Sequence, residues 1–298
     1  MRIFLTGATG FIGAHVLPQL LQGGHRVLGM CRSDAGARQL ASAGAEAYRG
    51  DLDDPASVRR GAEQVDAVIH CAFDHDFSRF VENCEKDRRN IEAIGEALAG
   101  SERPFVITSG AGMGSPGPGE LATEDVFDPD HANPRKVSEQ AGEAVAATHG
   151  VNVSVVRLPQ VHDTRKQGLI TPLLEVARSK GCVAYVGEGA SRLAAAHVSD
   201  VARLYRLAVE RAERGARYHA VAEEGVSMRA IAETLGRRLS LPVVRVSAAE
   251  AALHFGPLAM FADLDMPASS ALTRRKLGWE PVGPGLLDDL EHLELAAG

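Results

Sequence analysis

Short β-branched runs alternate with longer Ala-rich stretches over the first 160 residues of the chain. Six runs have the length and composition of buried strands: 2–6, 26–31, 45–49, 67–71, 105–108 and 153–158. Five stretches between them have helical periodicity, and several end at a Gly: 11–21, 35–43, 56–61, 80–99 and 137–149. This alternation indicates a parallel sheet covered by helices on both faces. The pattern therefore predicts a doubly wound α/β fold.

Residues after Pro159 follow a looser pattern, in which Gly and Pro separate shorter elements. We expect a main α/β unit over 1–165, to which residues near 197–220 return, and a smaller C-terminal lobe over 166–298. A stretch rich in Gly and Pro, 110–135, directly follows the fifth strand. Open α/β sheets bind ligands beyond the carboxyl ends of their strands, so we expect this long loop to border a site.

A glycine-rich turn joins the first strand to the first helix. With glycines at spacings of three and three, it reads Gly7-Ala8-Thr9-Gly10-Phe11-Ile12-Gly13. Small residues let the backbone approach a pyrophosphate, and the helix N-terminus offers unpaired N–H groups to it. We interpret 1–165 as a Rossmann-type dinucleotide-binding unit. The alternative is a tight turn that binds no ligand.

The end of the second strand carries the residues that distinguish NADP from NAD. A NAD site usually has an acidic side chain here, which accepts a hydrogen bond from the ribose 2′-hydroxyl. This chain instead has Arg32 followed by Ser33. A guanidinium forms forked hydrogen bonds with a 2′-phosphate and stacks on adenine, and the Ser hydroxyl adds a donor. The sequence therefore favours NADP; the alternative is that Asp34 reaches the ribose of NAD and Arg32 is a solvated charge.

Five short segments carry a resemblance to a known family. They are 6–13, Gly50-Asp51-Leu52-Asp53, Val68-Ile69-His70-Cys71-Ala72, Val156-Arg157-Leu158-Pro159 and His197-Val198-Ser199-Asp200-Val201-Ala202. In this order they resemble the signatures of the extended short-chain dehydrogenase/reductases, the NAD(P)-dependent epimerase/dehydratase family, over almost the whole chain. The resemblance implies a C-terminal substrate-binding lobe and, in many members, a homodimer formed through a helix pair, here 80–99 and 137–149.

The resemblance also implies further contacts with the cofactor. Asp51 and Leu52 would lie beside adenine. Ala72 and Phe73 would lie beside the pyrophosphate and ribose, and Pro159 to Val161 beside nicotinamide.

The usual catalytic residues of that family are missing from this chain. Members place a Ser or Thr after the fifth strand and a Tyr-x-x-x-Lys pair on the next helix, and the Tyr exchanges a proton with the substrate oxygen. Here Gly110 stands at the hydroxyl position, and Arg135 and Glu139 stand at the Tyr and Lys positions. No Tyr occurs between Tyr48 and Tyr185. The chain resembles the atypical members that keep the cofactor signature without the triad.

Two side chains near the strand ends are candidate catalytic replacements. His75 carries an imidazole, whose ordinary pKa suits proton exchange near neutrality. The alternative is that the surrounding polar triplet caps the next helix, with Asp76 as N-cap. Ser109 is a candidate hydrogen-bond donor to a substrate carbonyl, or a residue that only bonds the nearby backbone. Weaker candidates are Lys136, His162 and His197.

Composition and charge exclude several classes of binding partner. A net charge of -7 argues against nucleic acid, because phosphate backbones are bound by clustered basic residues. No apolar run approaches a membrane span, and no secretory leader precedes the first strand, so we expect a cytoplasmic protein that does not enter membranes. The four cysteines match no zinc spacing, and we expect no metal.

These observations lead to an expected activity, the NADPH-dependent reduction of a ketone on a large, aromatic, natural-product-like small molecule. A hydroxyl next to the ketone would assist by stabilising the oxyanion. A faint overall resemblance to atypical polyketide ketoreductases agrees with this. The alternatives are a non-catalytic NADP(H)-binding regulator and, more weakly, a nucleotide-sugar epimerase or dehydratase, which would also depend on the missing Tyr.

Overall fold

A computed structural model describes residues 1–295 of the chain. The strands, in chain order, are β1 (Arg2–Thr6), β2 (Arg26–Cys31), β3 (Glu46–Arg49), β4 (Ala67–His70), β5 (Pro104–Gly110), β6 (Asn152–Leu158), β7 (Gln160–His162), β8 (Val183–Val186), β9 (Arg192–His197), β10 (Arg217–His219), β11 (Glu223–Ser227) and β12 (Val243–Val246). The α-helices are α1 (Phe11–Gln22), α2 (Asp34–Ser42), α3 (Pro55–Ala62), α4 (Phe80–Leu98), α5 (Lys136–His149), α6 (Ile170–Lys180), α7 (Val198–Arg211), α8 (Met228–Leu239), α9 (Ala248–Phe255), α10 (Ala259–Ala262), α11 (Ala271–Leu277) and α12 (Leu286–Glu291).

Seven strands form one parallel sheet in the order β10-β6-β5-β4-β1-β2-β3. The chain runs outward from β1 to β3, returns to β4 beside β1, and then runs the other way. Thr6 of β1 pairs with His70 of β4, so the two halves of the sheet meet at these strand ends. This reversal is the switch point at which doubly wound sheets bind ligands. The predicted Rossmann-type fold is confirmed.

The six predicted strands lie within one or two residues of the observed ones, with one informative difference. β5 extends to Gly110, because Ser109 and Gly110 continue the ladder opposite Arg157 and Leu158 of β6. The sequence pattern alone predicts its end at residue 108. The long loop that follows contains a short 3-10 helix, Ala111–Gly114, and no α-helix before Lys136.

Apolar side chains cover both faces of the sheet. On one face, Val16 and Leu20 of α1 pack with Tyr205 and Val209 of α7. On the other face the core contains apolar residues of α3, α4 and α5. Helices α4 and α5 approach closely at Gly95, where a Cβ atom would overlap the side chain of Val145.

Two small sheets accompany the main one, β11-β9-β7 and β12-β8. A third apolar core joins α6 and α8 to α12, with Ile170, Ile231 and Leu286 at its centre. The division of the chain near residue 165 stays a prediction. Within residues 1–295, no helix combines the length and apolarity that crossing a bilayer requires.

Candidate cofactor and substrate site

The glycine-rich turn after β1 has the backbone shape that a close ligand requires. Gly7 adopts a φ of +67°, and a Cβ atom there would lie 2.8 Å from the Ala72 backbone nitrogen. A Cβ atom at Gly13 would overlap the carbonyl oxygen of Gly7. Both positions therefore need glycine.

Helix α1 begins directly after Gly10, and no side chain caps it. Its first turn contains no acidic residue. The N–H groups at this end are therefore free of side-chain acceptors, and the helix dipole favours an anion there. The residues predicted for the pyrophosphate, Thr9, Gly10, Phe11 and Ile12, all lie at this end of α1. This arrangement fits a dinucleotide pyrophosphate.

Hydrogen bonds of Thr6 connect the start of the glycine-rich turn to the end of β4 and the loop after it. The Thr6 hydroxyl accepts a hydrogen bond from the Ala72 backbone nitrogen at 3.2 Å and lies 2.8 Å from His70 Nδ1. This places Ala72 next to the glycine-rich turn. The contacts of Ala72 and Phe73 with a cofactor stay a prediction.

The end of β2 presents an unengaged cation. Among residues 1–295, no hydrogen bond or ion pair involves the exposed Arg32 side chain. Ser33 caps α2 by accepting from the Gly36 backbone nitrogen at 3.1 Å, which leaves its O–H free to donate. The Asp34 carboxylate is bound by Arg49. The acidic side chain that could have reached a ribose is thus occupied.

The other residues that the resemblance implied have well-defined surroundings. Asp51 is fixed through its backbone by Ser57, and the carbonyl of Leu52 accepts from Asn90 at 2.9 Å. Pro159 links β6 to β7, and Val161 is buried in β7.

An open cleft of about 480 Å³ lies beside the start of α1. Its far wall is the segment after β7, where Arg165 is paired with Glu294 at 3.1 Å. Lys166 extends over the Phe11 ring, with 5.7 Å between its Nζ atom and the ring centroid. Two acidic side chains, Asp163 and Glu294, also line the cleft. Lys166, which has no carboxylate partner within residues 1–295, is therefore the cation available to an anionic ligand at the start of α1.

The position of the family's catalytic hydroxyl is open space. A Cβ atom at Gly110 would meet no atom within 4 Å. The neighbouring Ser109 is 3% exposed, and its hydroxyl lies next to the Glu139 carboxylate without a well-formed hydrogen bond in the described chain. The described chain shows no hydrogen bond from this hydroxyl to the nearby backbone, which the structural alternative expects. The catalytic role of Ser109 stays a prediction.

The Tyr position is occupied by a firmly held guanidinium. Arg135 Nη1 lies 2.6 Å from Asp87 Oδ2 and 2.6 Å from Ser138 Oγ, and Nη2 donates to the carbonyl of Thr108 at 2.9 Å. The guanidinium stacks on Phe73, with 4.1 Å to the ring centroid. Sequence reasoning identifies Arg135 only as a missing Tyr and does not point to Asp87. The one sequence signal that could have pointed to Arg135 is its place at the predicted Tyr position.

The Lys position is part of a buried ion cluster. Glu139 accepts from Arg157 twice and from Arg217 Nε at 2.8 Å. Arg157 Nη1 also lies 3.2 Å from His219 Nε2. Burial together with the Arg157 charge lowers the pKa of His219 to about 3, so this ring is a neutral acceptor. Glu139, the residue predicted to stand at the Lys position, is thus held by two arginines in the core.

His75 belongs to a chain of aromatic rings that follows β4. We call the set Phe73, His75, Phe77, Phe80 and Phe261 the aromatic cluster; ring centroids of its contacting members are 5.3 to 6.2 Å apart. Desolvation, Arg135 and Lys166 lower the pKa of His75.

Asp76 caps the 3-10 turn Phe77–Arg79, which leads into α4, by accepting from the Ser78 backbone nitrogen at 3.0 Å. The expected cap of the helix 80–99 itself is absent, because the N-cap position of α4 is Arg79 and no side chain among residues 1–295 caps it. The weaker candidates lie elsewhere. His162 Nδ1 lies 2.6 Å from Asp289 Oδ2, and His197 lies 3.9 Å from the same oxygen, so both connect to α12.

A doubly wound parallel sheet with a glycine-rich turn after its first strand defines a dinucleotide-binding α/β protein. The model of the NAD dependent epimerase/dehydratase family matches residues 3–222, and the chain belongs to this family. The predicted relationship is confirmed, and the protein is of the NAD(P)-dependent oxidoreductase and epimerase type.

Three known proteins illustrate the relationship. Protein C2A9.02 of Schizosaccharomyces pombe is 45% identical over 291 residues, covering 97% of this chain and 98% of that protein. A Stigmatella aurantiaca protein, 4-hydroxy-2-methyl-3-oxo-4-farnesyl-3,4-dihydroquinoline-1-oxide ketoreductase, is 24% identical over 274 residues, covering 86% and 80%. The crystal structure of UDP-glucose 4-epimerase from Thermus thermophilus, in complex with NAD, has a TM-score of 0.76 and 23% identity, with 100% of both chains covered.

Proposed function

We propose that this protein is an NADPH-dependent reductase of a ketone on a large, aromatic small molecule. The observation that carries the proposal is the aromatic cluster. Phe73 and Phe77 come from the loop and short helix after β4, and Phe261 comes from α10, far along the chain. These half-buried rings form an apolar surface where the segment after β4 meets α10. Such a surface suits a flat, extended substrate.

The choice of NADPH rests on the end of β2. The free guanidinium of Arg32 and the free O–H of Ser33 are the donors for a 2′-phosphate. The competing acidic group, Asp34, is bound by Arg49. When bound, NADPH supplies a hydride. The chain supplies the anion site at α1, the contacts of Asp51 and Leu52 with adenine, and the placement of Pro159 and Val161 beside nicotinamide.

The reaction proposed is hydride addition to the carbonyl carbon, with the developing charge on the carbonyl oxygen. The chain has no Tyr at the family position to protonate that oxygen. A hydroxyl next to the ketone would donate a proton within the substrate itself, and the protein would fix the substrate in the reactive orientation. The name of the Stigmatella relative supports this, because it places a 3-oxo group beside a 4-hydroxyl group on a farnesylated ring.

The test measures NADPH absorbance with three probes: 2-acetyl-1-naphthol, an ortho-hydroxyaryl ketone; 2-acetylnaphthalene, which lacks the hydroxyl; and cyclohexanone. We expect turnover of the first with NADPH and much slower turnover of the other two. Turnover of cyclohexanone alone would contradict substrate assistance. Absence of turnover with every ketone would contradict the reductase.

A second candidate is a non-catalytic NADP(H)-binding regulator. The buried ion cluster at the predicted Lys position favours it, because Glu139 there stabilises the core by binding two arginines. A regulator should discriminate NADP⁺ from NADPH in its Kd and should change its oligomeric state between them, without consuming NADPH. An epimerase or dehydratase is the weakest candidate, since those reactions use the missing Tyr.

We also propose a cytoplasmic homodimer formed through the outer faces of α4 and α5. These helices pack against each other and lie together on one side of the sheet. Sedimentation velocity tests the dimer: we expect a mass of about twice 31.5 kDa. A monomer at micromolar concentration would contradict it.

A further inference from the structure

The strongest unassigned feature of the site is the Arg135 guanidinium. Its side chain is 12% exposed and stands at the carboxyl end of β5, where it binds the carbonyl of Thr108. Burying a guanidinium to this extent is costly unless its donors have partners. The hydrogen-bond partners of the guanidinium, and the N–H groups left without partners, therefore indicate its role.

Three contacts use at most three of its five N–H groups. They run from Nη1 to Asp87 and Ser138 and from Nη2 to Thr108. In the described chain no hydrogen bond from Nε appears, and the second N–H of Nη2 has no acceptor either. A fixed guanidinium with two free donors at the carboxyl end of β5 is suited to a planar or anionic oxygen group of a ligand.

The guanidinium is also rigid. The Phe73 ring covers one face at 4.1 Å, and Asp87, 2% exposed, holds one edge at 2.6 Å. Burial by itself would raise the pKa of Asp87, but Arg135, His70 and Ser138 bring it down to about 2, so the carboxylate stays charged. Donors held in place before the reaction cost no reorganisation when charge develops, which is the basis of oxyanion stabilisation.

We propose that Arg135 binds the substrate carbonyl oxygen and is a catalytic residue of the reaction; this rests on the proposed function. Hydride and its electron pair form the new C–H bond, and the carbonyl π pair moves to oxygen. The neighbouring substrate hydroxyl gives its proton to that oxygen, which leaves a phenolate beside Arg135. Water then returns a proton to the phenolate. The guanidinium keeps all of its protons throughout, because arginine is not deprotonated in proteins.

Two variants separate this role from a merely structural ion pair. Arg135→Lys keeps the charge and the pairing with Asp87 but cannot present a fork. Arg135→Ala combined with Asp87→Asn removes both charges, so no unpaired carboxylate remains to unfold the protein. Arg178→Ala is the control, since it removes one exposed positive charge from α6, where the side chain makes no hydrogen bond or ion pair within residues 1–295.

The first measurement is the rate of hydride transfer to 2-acetyl-1-naphthol in a single turnover at saturating NADPH. We expect Arg135→Lys and the double variant to lose at least about a hundredfold, the usual effect of removing an oxyanion donor. The Kd for NADPH should change less than about threefold, and Arg178→Ala should match the parent. A rate within about fivefold of the parent for Arg135→Lys would overturn the proposal while leaving the reductase intact.

The second measurement does not need turnover. Spectrophotometric titration of 2-acetyl-1-naphthol bound to the protein with NADP⁺ gives the pKa of its hydroxyl. We expect the parent and Arg178→Ala to lower that pKa relative to free probe, and both Arg135 variants to abolish the lowering. If the parent shows the lowering but reduces no ketone, the site is right and the proposed function is wrong. If the parent does not bind the probe or lower its pKa, the Arg135 proposal is wrong.

Discussion

The carboxylate of Glu139 accepts two hydrogen bonds from Arg157, at 2.8 Å from Nε and 2.9 Å from Nη2, and neither side chain is exposed. Burial alone would raise the pKa of Glu139, but Arg157 and Arg217 hold it below its ordinary value. A bidentate pair at this depth is geometrically demanding and is stable only when both partners are present. Glu139, which the resemblance aligns with the catalytic Lys, is thereby part of the core.

Two substitutions toward the family pattern should behave in opposite ways. Glu139→Lys places a third cation between Arg157 and Arg217, so we expect a loss well above the roughly 3–5 kcal/mol of breaking a buried pair, and no folded protein. Gly110→Ser should cost less than about 1 kcal/mol, because its Cβ enters open space and the backbone there is extended, at φ −108°. Denaturant unfolding measures both. A folded Glu139→Lys protein would contradict this account.

Arg32→Ala should weaken NADPH binding much more than NADH binding. The substitution removes a charge-assisted hydrogen bond to the 2′-phosphate, which contributes about 1.5–3 kcal/mol, or about 10- to 150-fold in Kd. Isothermal titration of both cofactors measures it. Arg38→Ala, which removes another exposed charge from the same region, is the control and should leave the preference unchanged. Equal losses for the two cofactors would show that Arg32 acts by stacking on adenine or through folding.

Local patterns predicted the sheet well because each strand and helix of the first 160 residues carries its own signal. The glycine-rich turn was equally visible, since it occupies one short segment between the first strand and the first helix. The contacts of the Arg135 side chain could not be predicted from the sequence. Its partner Asp87 lies 48 residues earlier, on α4, and no local pattern relates the two. The same holds for Phe261, which meets Phe77 only after the C-terminal region folds.

Ser109→Ala and His75→Ala should each slow hydride transfer less than about tenfold, since each removes at most a positioning contact of about 1 kcal/mol. Ser109 is buried beside Glu139, and the lowered pKa of His75 makes its neutral form dominant at pH 7, so neither is a ready proton donor. Single-turnover rates at saturating NADPH isolate this step from product release. A loss above a hundredfold, with folding and NADPH binding unchanged, would identify that residue as the missing acid.

His219 should make the protein less stable in mild acid. The folded-state pKa is about 3, whereas the ordinary value is 6.5, so between these values the unfolded chain binds a proton that the folded chain does not. The free energy of unfolding therefore falls as the pH drops from 6.5, by up to about 1.4 kcal/mol per pH unit for this one group. Between pH 6.5 and 5 the paired carboxylates remain charged, so this window isolates the buried histidines.

His219→Gln should remove most of that contribution, because Gln does not titrate and can still accept from Arg157. We expect urea unfolding of the variant at pH 5, 5.5, 6 and 6.5 to depend less on pH than the parent, with the two curves converging by up to about 2 kcal/mol over the window. His292→Gln, at an exposed position after α12, is the control and should run parallel to the parent. Parallel curves for His219→Gln as well would mean that the His219 ring takes up a proton equally in the folded and unfolded protein, so that burial and Arg157 do not lower its pKa.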